Sequence, residues 1–255
     1  MEIRQTSIGG QIDAIRELPR IKLPPSPCTY LPAETVCQEC RVVFEINPEA
    51  YHELLQRGWR RFGGVFFRPA CPQCSKCTGI RVLVPEFKPN KSQRRALKLN
   101  QDVQLVVGPA SVSAEHLRLF NAYHSFMQGE RNWAAHSFNE IQYERQFLHG
   151  RWEFAKEFLY YDAGKLIGVG LVDVLPDAIS SVYFYHDPAL RARSLGVYSM
   201  LKELEYAKAR PVKYQYLGFW LAECRSLAYK SQYHPHEFLA GYPADEAEPV
   251  WERPD

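Results

Sequence analysis

No stretch of this 255-residue sequence approaches the roughly 18 consecutive apolar residues that a membrane-spanning helix requires. Its first residues, Met1-Glu2-Ile3-Arg4-Gln5, also lack the apolar core of a secretory signal. No internal repeat is visible, and the balance of 46% hydrophobic and 24% charged residues excludes wholesale disorder. We therefore expect a cytoplasmic globular protein that does not contact a membrane.

Acidic residues are almost missing from residues 54–101. This segment holds eleven lysines and arginines but one acid, Glu86, so its net charge is +10, whereas the whole chain carries +2. A basic segment inside a near-neutral protein is typical of a site for a polyanion such as a nucleic acid. The alternative is a solvated face whose charges are neutralised by acids from elsewhere in the fold.

A predicted helix over residues 90–100 carries the densest part of this charge. Its cations stand at positions i, i+3, i+4 and i+7 and therefore share one face, which bears no acid. They are Lys91, Arg94, Arg95 and Lys98. We expect this face to contact the phosphates of a nucleic acid.

Six of the seven cysteines cluster between Cys28 and Cys77, and Cys224 stands alone. In a reducing compartment such clustering favours metal binding or redox chemistry over disulfides. The C-x-x-C spacing lets a tight turn direct two thiolates at one tetrahedral metal. The predicted ligands of zinc or an iron–sulfur cluster are Cys37, Cys40, Cys71 and Cys74, with Cys28 and Cys77 as alternatives. Reduced thiols packed as small hydrophobic groups are the structural alternative.

Turn signals and hydrophobic alternation predict an α/β protein. Prolines exclude a helix from about the first 27 residues, Asn47-Pro48-Glu49 begins a helix, and Gly63-Gly64 forms the turn of a hairpin. After residue 154, meander strands lead into a strand–helix–strand–helix pattern. We divide the chain into a cysteine-bearing basic module (1–105), a transfer domain (106–240) and a loosely attached C-terminal tail (241–255).

A strand end, a loop and a helix start meet in residues 183–198. The exposed N–H groups at the start of a helix can bind an anion, with Arg191, Arg193 and Ser194 beside them. Arg193-x-x-Gly196 matches half of the pyrophosphate loop of acetyltransferases, although an ordinary capped helix would look the same. His186 and Asp187, at the strand end, could position or deprotonate an amine.

Aromatic residues end the next predicted strand. Tyr216 and Trp220 could stack a base or form the wall of a pocket, with Lys230 nearby, although such runs more often belong to a core.

Several motifs follow one another in an order that resembles the aminoacyl-tRNA–protein transferases. They are Cys28-Thr29-Tyr30-Leu31-Pro32, Gly58-Trp59-Arg60-Arg61-Phe62-Gly63, Ser92-Gln93-Arg94-Arg95, Phe184-Tyr185-His186-Asp187-Pro188 and Tyr216-Leu217-Gly218-Phe219-Trp220. From about Pro24 to Phe238 the chain is similar to the short bacterial branch, the aspartate/glutamate leucyltransferases, which are related to eukaryotic arginyl-tRNA–protein transferase. The motif Cys37-x-x-Cys40 is not typical of that branch.

The resemblance implies an acetyltransferase-like (GNAT-type) C-terminal domain joined to the smaller cysteine-bearing module. It also implies an enzyme that moves leucine from its tRNA to the α-amine of proteins beginning with Asp or Glu, marking them for degradation by the N-end rule pathway. The ester of charged tRNA is already activated, so no cofactor is required for transfer. We expect a monomer whose partners are aminoacyl-tRNA and the acceptor proteins. The alternatives are arginine as the donor amino acid, acetyl-CoA-dependent acetylation of a small molecule, and a non-catalytic RNA-binding module.

Candidate site residues follow from these patterns and from the resemblance. The catalytic candidates are Tyr185, His186 and Asp187. The candidates for binding substrate or tRNA are Arg60, Arg61, Lys91, Gln93, Arg94, Arg95, Lys98, Arg191, Arg193, Ser194, Tyr216, Trp220 and Lys230.

Overall fold

Two large β-sheets and a two-stranded ribbon form the framework of the computed structural model, which describes residues 2–131, 133–134 and 136–254. The smaller of the two sheets holds β1 (Arg4–Ile8), β2 (Gln11–Glu17), β3 (Ile21–Lys22), β6 (Gln38–Ile46), β7 (Arg60–Phe62) and β8 (Val65–Pro69). The ribbon pairs β4 (Ser26–Pro27) with β5 (Thr35–Val36). In the described part of the chain, no helix has the length and apolar character needed to cross a membrane.

The smaller sheet packs against helix α1 (Pro48–Gln56), whose limits follow from its sequence. Asn47 accepts a hydrogen bond from the backbone N–H of Ala50 at 2.7 Å, and Pro48 stands in the first turn. Gly58 follows the helix with φ +80°, a conformation that favours glycine. The predicted helix start is confirmed, and so is the hairpin, because β7 and β8 pair across Gly63-Gly64.

The larger sheet has the strand order β10-β11-β12-β13-β14-β9-β15-β16. Its strands are β9 (Thr78–Leu83), β10 (Gln104–Pro109), β11 (Ala155–Asp162), β12 (Lys165–Val174), β13 (Ala178–His186), β14 (Tyr214–Trp220), β15 (His236–Leu239) and β16 (Trp251–Glu252). The α-helices that accompany them are α2 (Lys91–Leu99), α3 (Ala114–Arg131), α4 (Glu140–Tyr143), α5 (Leu195–Lys208) and α6 (Arg225–Ala228). A π-helical turn, Glu144–Leu148, continues α4, and 3-10 turns cover Pro188–Arg193 and Tyr229–Gln232.

Strands β13 and β14 pair in parallel over three residue pairs, from Ala178 with Tyr214 to Ser180 with Tyr216, and no longer pair beyond them. Helix α5 forms the crossover between the two strands. At the same level, the pairing of β14 with β9 slips between Tyr216 and Gly218. An antiparallel meander opened at one parallel pair is the arrangement expected of an acetyltransferase-like domain, and the α/β prediction is confirmed.

The boundary between the residues of the two sheets falls before residue 105, which is the predicted end of the first module. Strand β9 lies in the larger sheet between β14 and β15, and α2 packs against α5. Residues 78–99 therefore belong structurally with the second half of the chain. The reason is pairing: β9 forms its ladders with strands that follow it by more than 100 residues.

The C-terminal tail is tightly attached, so the expectation of loose attachment is wrong. Asp245 is 2% exposed and accepts a hydrogen bond from Arg41 Nη2 at 2.9 Å. Arg41, itself fully buried, also donates to both carboxylate oxygens of Glu17, at 2.8 and 2.9 Å. Farther along the tail, the Trp251 indole donates to the carbonyl of Gln56 at 3.0 Å. Buried ion pairs and a packed indole fix this segment despite its prolines.

Candidate functional site

A cavity of about 370 Å³ lies where β13 and β14 separate and the smaller sheet meets the larger one. Its walls are mostly aromatic and aliphatic, with a few polar and cationic groups. The lining residues are Leu23, Tyr30, Gln38, Cys40, Arg60, Arg61, Phe62, Val65, Phe67, Ser181, Val182, Leu217, Gly218, Phe219, Leu227 and Lys230. No described aspartate or glutamate is among them. This combination suits an amino-acid-sized ligand that carries negative charge or needs an apolar wall.

Arg60 enters the cavity from β7 and has an incomplete set of partners. Its Nη2 donates to the carbonyl of Ser181, an oxygen left unpaired because β13 and β14 have separated. Its Nη1 is buried and has no hydrogen-bond partner within the described residues. Burial lowers the pKa of Arg60. The neighbouring Arg61 differs: burial acts against its charge, but the ion pair with Asp173 raises the pKa of Arg61.

Lys230 faces Arg60 across Gly218. Its Nζ donates to the carbonyl of Phe219 at 2.8 Å. Burial, reinforced by the charge of Arg60, lowers the pKa of Lys230 to about 7. Gly218 has φ +86°, and a Cβ there would lie 3.4 Å from Arg60 Nε and 3.5 Å from Lys230 Nζ. The glycine at the bulge therefore keeps the space between the two cations open.

The hydroxyl group of a cavity-lining serine connects this cavity to a buried carboxylate. Ser181, on its wall, donates from Oγ to Glu203 of α5, and Gln215 Nε2 donates to both Ser181 Oγ at 3.0 Å and Glu203 at 2.8 Å. Burial raises the pKa of Glu203 to about 7. The carboxylate can therefore exchange a proton near neutral pH, through the serine hydroxyl.

The three predicted catalytic residues lie at the far end of β13, outside the cavity lining. Tyr185 is fully buried and its hydroxyl bonds that of Tyr143 at 2.8 Å. Asp187 caps the following 3-10 turn and pairs with Lys165 at 2.8 Å, which lowers the pKa of the Asp187 carboxyl. His186 bonds the Asp187 carbonyl at 3.0 Å, and burial lowers the pKa of the imidazole. Tyr185 and Asp187 are thus engaged structurally, while His186 keeps a neutral ring.

In the predicted anion-binding loop before α5, carboxylates of the protein already pair with the arginine that was expected to bind an anion. Arg193 Nη1 pairs with Asp162 at 2.8 Å and Nη2 with Asp102 at 2.5 Å. Ser194 has φ +56° and its side chain does not cap the helix. Arg191 is exposed and lies 3.8 Å from Glu130. Since two carboxylates already neutralise Arg193, the half-matched pyrophosphate motif is a structural clamp.

Three other predicted binding residues are also held in internal contacts. Tyr216 is buried and its hydroxyl accepts a hydrogen bond from Arg81 at 3.3 Å, on the side facing α1. Trp220 donates to the carbonyl of Ala228 at 3.1 Å. Gln93 completes the capping box of α2 by accepting from the Asn90 N–H at 2.8 Å.

The cations of the basic segment include several that are paired with acids and one helix face where they are exposed and unpaired among the described residues. Five of its cations neutralise internal acids: Arg57 with Glu53, Arg61 with Asp173, Arg68 with Glu39, Lys76 with Glu34 and Arg81 with Glu237. The cations of α2 are different, because all four are exposed and none forms an ion pair with a described residue: Lys91, Arg94, Arg95 and Lys98. We call these four residues the α2 face. It is the part of the +10 segment that fits a nucleic-acid contact.

The predicted metal ligands do not converge in the described residues. Cys37 and Cys71 are neighbours, the Cys37 N–H approaching Cys71 Sγ at 3.4 Å. Cys40, by contrast, lines the cavity. Within the described part of the chain, no group of three or more potential ligands has a geometry that would hold a metal ion. The predicted four-sulfur site therefore stays a prediction. Burial and the neighbouring thiols Cys28 and Cys74 raise the pKa of Cys77 to about 11.

Sequence patterns had not indicated Ser181, Glu203 or Gln215. The glutamate stands in the middle of an amphipathic helix, where a charged residue normally faces solvent. Only the separation of β13 and β14 turns these residues into a polar group behind the cavity. Gly218 is the residue from which this region could have been predicted, since a glycine inside a strand pattern often marks a bulge or a close approach of another group.

The sequence is similar to one known family in both halves of the chain. Residues 26–95 match the family profile described as "Arginine-tRNA-protein transferase, N terminus", and residues 115–240 match its C-terminal counterpart. An aspartate/glutamate leucyltransferase of Campylobacter jejuni (strain 81116 / NCTC 11828) is 37% identical over 89% of this chain and 95% of its own length. Its counterpart in Helicobacter hepaticus is 34% identical over 88% and 93%.

Solved structures give a weaker likeness. The crystal structure of FemX aligns with a TM-score of 0.42 at 8% identity, covering 80% of this chain and 79% of FemX.

Proposed function

This chain belongs to the arginine-tRNA-protein transferase family, and from that premise we propose that it transfers leucine from leucyl-tRNA to the α-amine of proteins beginning with Asp or Glu. The observation that carries the proposal is the 37% identity to an aspartate/glutamate leucyltransferase along 89% of this chain and 95% of the relative. Because charged tRNA is made in the cytoplasm, we place the protein there, acting as a monomer.

The cavity supports leucine as the donor amino acid. Phe62, Phe67 and Phe219 give it apolar walls suited to an aliphatic side chain. An arginyl group would bring another guanidinium close to Arg60 and Lys230, where no described carboxylate lines the cavity. Repulsion between like charges in a partly buried site disfavours that donor.

The transfer itself forms one amide bond and breaks one ester bond. The nitrogen of the neutral α-amine attacks the leucyl carbonyl carbon, and the terminal ribose oxygen of the tRNA leaves with a proton. Since an α-amine has a pKa near 8, a modest proton acceptor suffices at neutral pH.

We assign proton acceptance to Glu203, acting through Ser181. The serine hydroxyl donates to Glu203 and accepts from Gln215, so one lone pair is left for an amine N–H. His186 is too far away for this role, because it lies four residues beyond Val182 on the same strand, roughly 13 Å at about 3.3 Å per residue.

Acetyl-CoA-dependent acetylation of a small molecule is disfavoured by Arg193. The arginine expected to bind the pyrophosphate is already paired with Asp102 and Asp162. A nucleic-acid substrate, in contrast, has an exposed partner in the α2 face.

The test combines two donors with four acceptors. The purified protein is incubated with tRNA charged with leucine or arginine and with peptides beginning with Asp, Glu, Asn or Ala, and the products are read by mass spectrometry. We expect one added leucine on the Asp and Glu peptides. Addition of arginine instead would assign the arginyl reaction, and no addition from any charged tRNA would overturn the proposal.

A further inference from the structure

We propose that Arg60 and Lys230 form the subsite that binds the acidic side chain of the acceptor's first residue. This inference rests on the proposed transfer reaction and goes further by naming the residues that recognise Asp and Glu. It is argued from the partners, space and charge around the two cations.

The first argument is the missing counter-charge. Arg60 is 8% exposed, and its Nη1 has no hydrogen-bond partner within the described residues. Of the described carboxylates nearby, Asp173 is engaged by Arg61, and Glu203 by Ser181 and Gln215. A buried cation normally has a paired anion, so a carboxylate supplied by a ligand completes this site.

The second argument is space. The bulge in β14 places Gly218 between Arg60 and Lys230, and its missing side chain leaves a gap that both cations border. A carboxylate there reaches the guanidinium on one side and the ammonium on the other. Arginine forms paired hydrogen bonds with a carboxylate, which adds directional preference to charge.

The third argument is that the subsite lies beside the group that receives the proton. Arg60 donates to the carbonyl of Ser181, and the hydroxyl of the same residue leads to Glu203. In an N-terminal Asp or Glu, only a few bonds separate the carboxylate from the α-amine. Binding the side chain at Arg60 therefore brings the amine to the Ser181 hydroxyl, so recognition and reaction use one wall of the cavity.

The charge state of Lys230 gives the subsite a measurable signature. With its pKa lowered to about 7, the amine is mostly neutral at pH 8. A bound carboxylate stabilises the ammonium form, so a proton is taken up when an acidic peptide binds. The side chain of an N-terminal Asn carries no charge, so an Asn peptide produces no comparable uptake.

The kinetic test uses Lys230→Met, with Lys213→Met as the matched control because Lys213 is an exposed lysine just before β14 and is not among the cavity-lining residues. Loss of a charge-assisted contact should lower kcat/KM for an Asp peptide by about ten- to a hundredfold. The KM for leucyl-tRNA should stay near its wild-type value. An unchanged kcat/KM for the Asp peptide, or a rise confined to the KM for leucyl-tRNA, would overturn the assignment.

The calorimetric test needs no variant and no turnover. Binding of Asp and Asn peptides to the wild-type protein is measured at pH 8 in buffers of different ionisation enthalpy. We expect tighter binding of the Asp peptide, accompanied by proton uptake, and equal affinities for the two peptides would refute the subsite even if Lys230→Met failed to fold. Failure of the proposed transfer reaction gives a different result from failure of the subsite. In that case no peptide gains leucine, but the binding of the peptides can still be measured.

Discussion

Arg193 and Asn100 hold each other by reciprocal hydrogen bonds: Arg193 Nε donates to Asn100 Oδ1 at 3.0 Å, and Asn100 Nδ2 donates to the Arg193 carbonyl at 2.8 Å. Asn100 is fully buried at the end of α2. The pair therefore fixes the helix that bears the α2 face to the loop that precedes α5. Two carboxylates on the same guanidinium strengthen the connection.

Replacing Arg193 with Ala should lower the free energy of unfolding by about 2 to 3 kcal/mol, because buried Asn100 and the acids Asp102 and Asp162 lose their partner. Arg191→Ala is the matched control from the same loop. Arg191 is 65% exposed in its side chain, so its loss should change stability by less than about 0.5 kcal/mol. Urea unfolding measures both variants. Equal effects of the two substitutions would contradict the clamp.

Replacing Arg94 and Arg95 with Ala should weaken tRNA binding and flatten its salt dependence. Each lost phosphate contact removes about 0.7 to 0.9 from the slope of log affinity against log salt, so the double variant should lose roughly 1 to 2. Melting should hardly change, because both side chains are exposed and neither is ion-paired to a described residue. Exposed Arg4 and Arg151 provide the control pair. A wild-type slope would show that tRNA binds elsewhere.

Glu203→Gln should change how stability depends on pH. The pKa of Glu203 rises from 4.5 to about 7 on folding, so the folded state binds more protons between those values. The stabilising contribution of the protonated side chain is complete below pH 4.5 and is lost as the pH rises to 7. From pH 5 to pH 8, urea unfolding should show the wild type losing on the order of 2 kcal/mol relative to the Gln variant.

Exposed Glu205, on the same helix, is the control for that measurement. Glu205→Gln should follow the wild-type pH curve. Parallel curves for the wild type and Glu203→Gln would show that Glu203 is ionised in the folded protein as it is in the unfolded chain. The same outcome would remove it as the proton acceptor.

Cys40→Ser should leave metal content unchanged, because the Cys40 side chain lines the cavity. Elemental analysis of anaerobically purified protein gives the metal per chain for the wild type, Cys40→Ser and Cys71→Ser. A metal lost from the Cys71 variant alone would limit the ligands to Cys71 and its neighbours. Loss from Cys40→Ser would mean that the loop and β6 rearrange around a metal, and a metal-free wild type would make the thiols packing residues.

Local signals in the sequence predicted much of the fold. Asn47-Pro48 and Asn90 each determine a helix start through contacts within three or four residues, so no knowledge of the rest of the chain is needed. The turn at Gly63-Gly64 is equally local. The strand pattern after residue 154 predicted the α/β half for the same reason, while its acetyltransferase-like character was implied by the family resemblance.

Site geometry was less predictable, because it depends on pairings between distant residues. Arg60 and Arg61 are adjacent, chemically identical and both line the cavity, yet Arg61 pairs with an acid 112 positions later while Nη1 of Arg60 has no described partner. Strand alternation sends the two side chains to opposite faces, but the sequence does not reveal what each face meets. The separation of β13 and β14, which exposes the Ser181 carbonyl, likewise arises only when the sheet forms.

The buried group of Arg41, Glu17 and Asp245 also has a consequence for synthesis of the chain. Asp245 follows Arg41 by 204 positions, so at about 5 to 20 residues per second the ribosome takes roughly 10 to 40 s to supply it. Until then Arg41 has Glu17 alone, and the surface that Asp245 will cover is open to water. The smaller sheet, although its strands all lie within residues 4–69, gains this second buried carboxylate only after residue 245 has been added.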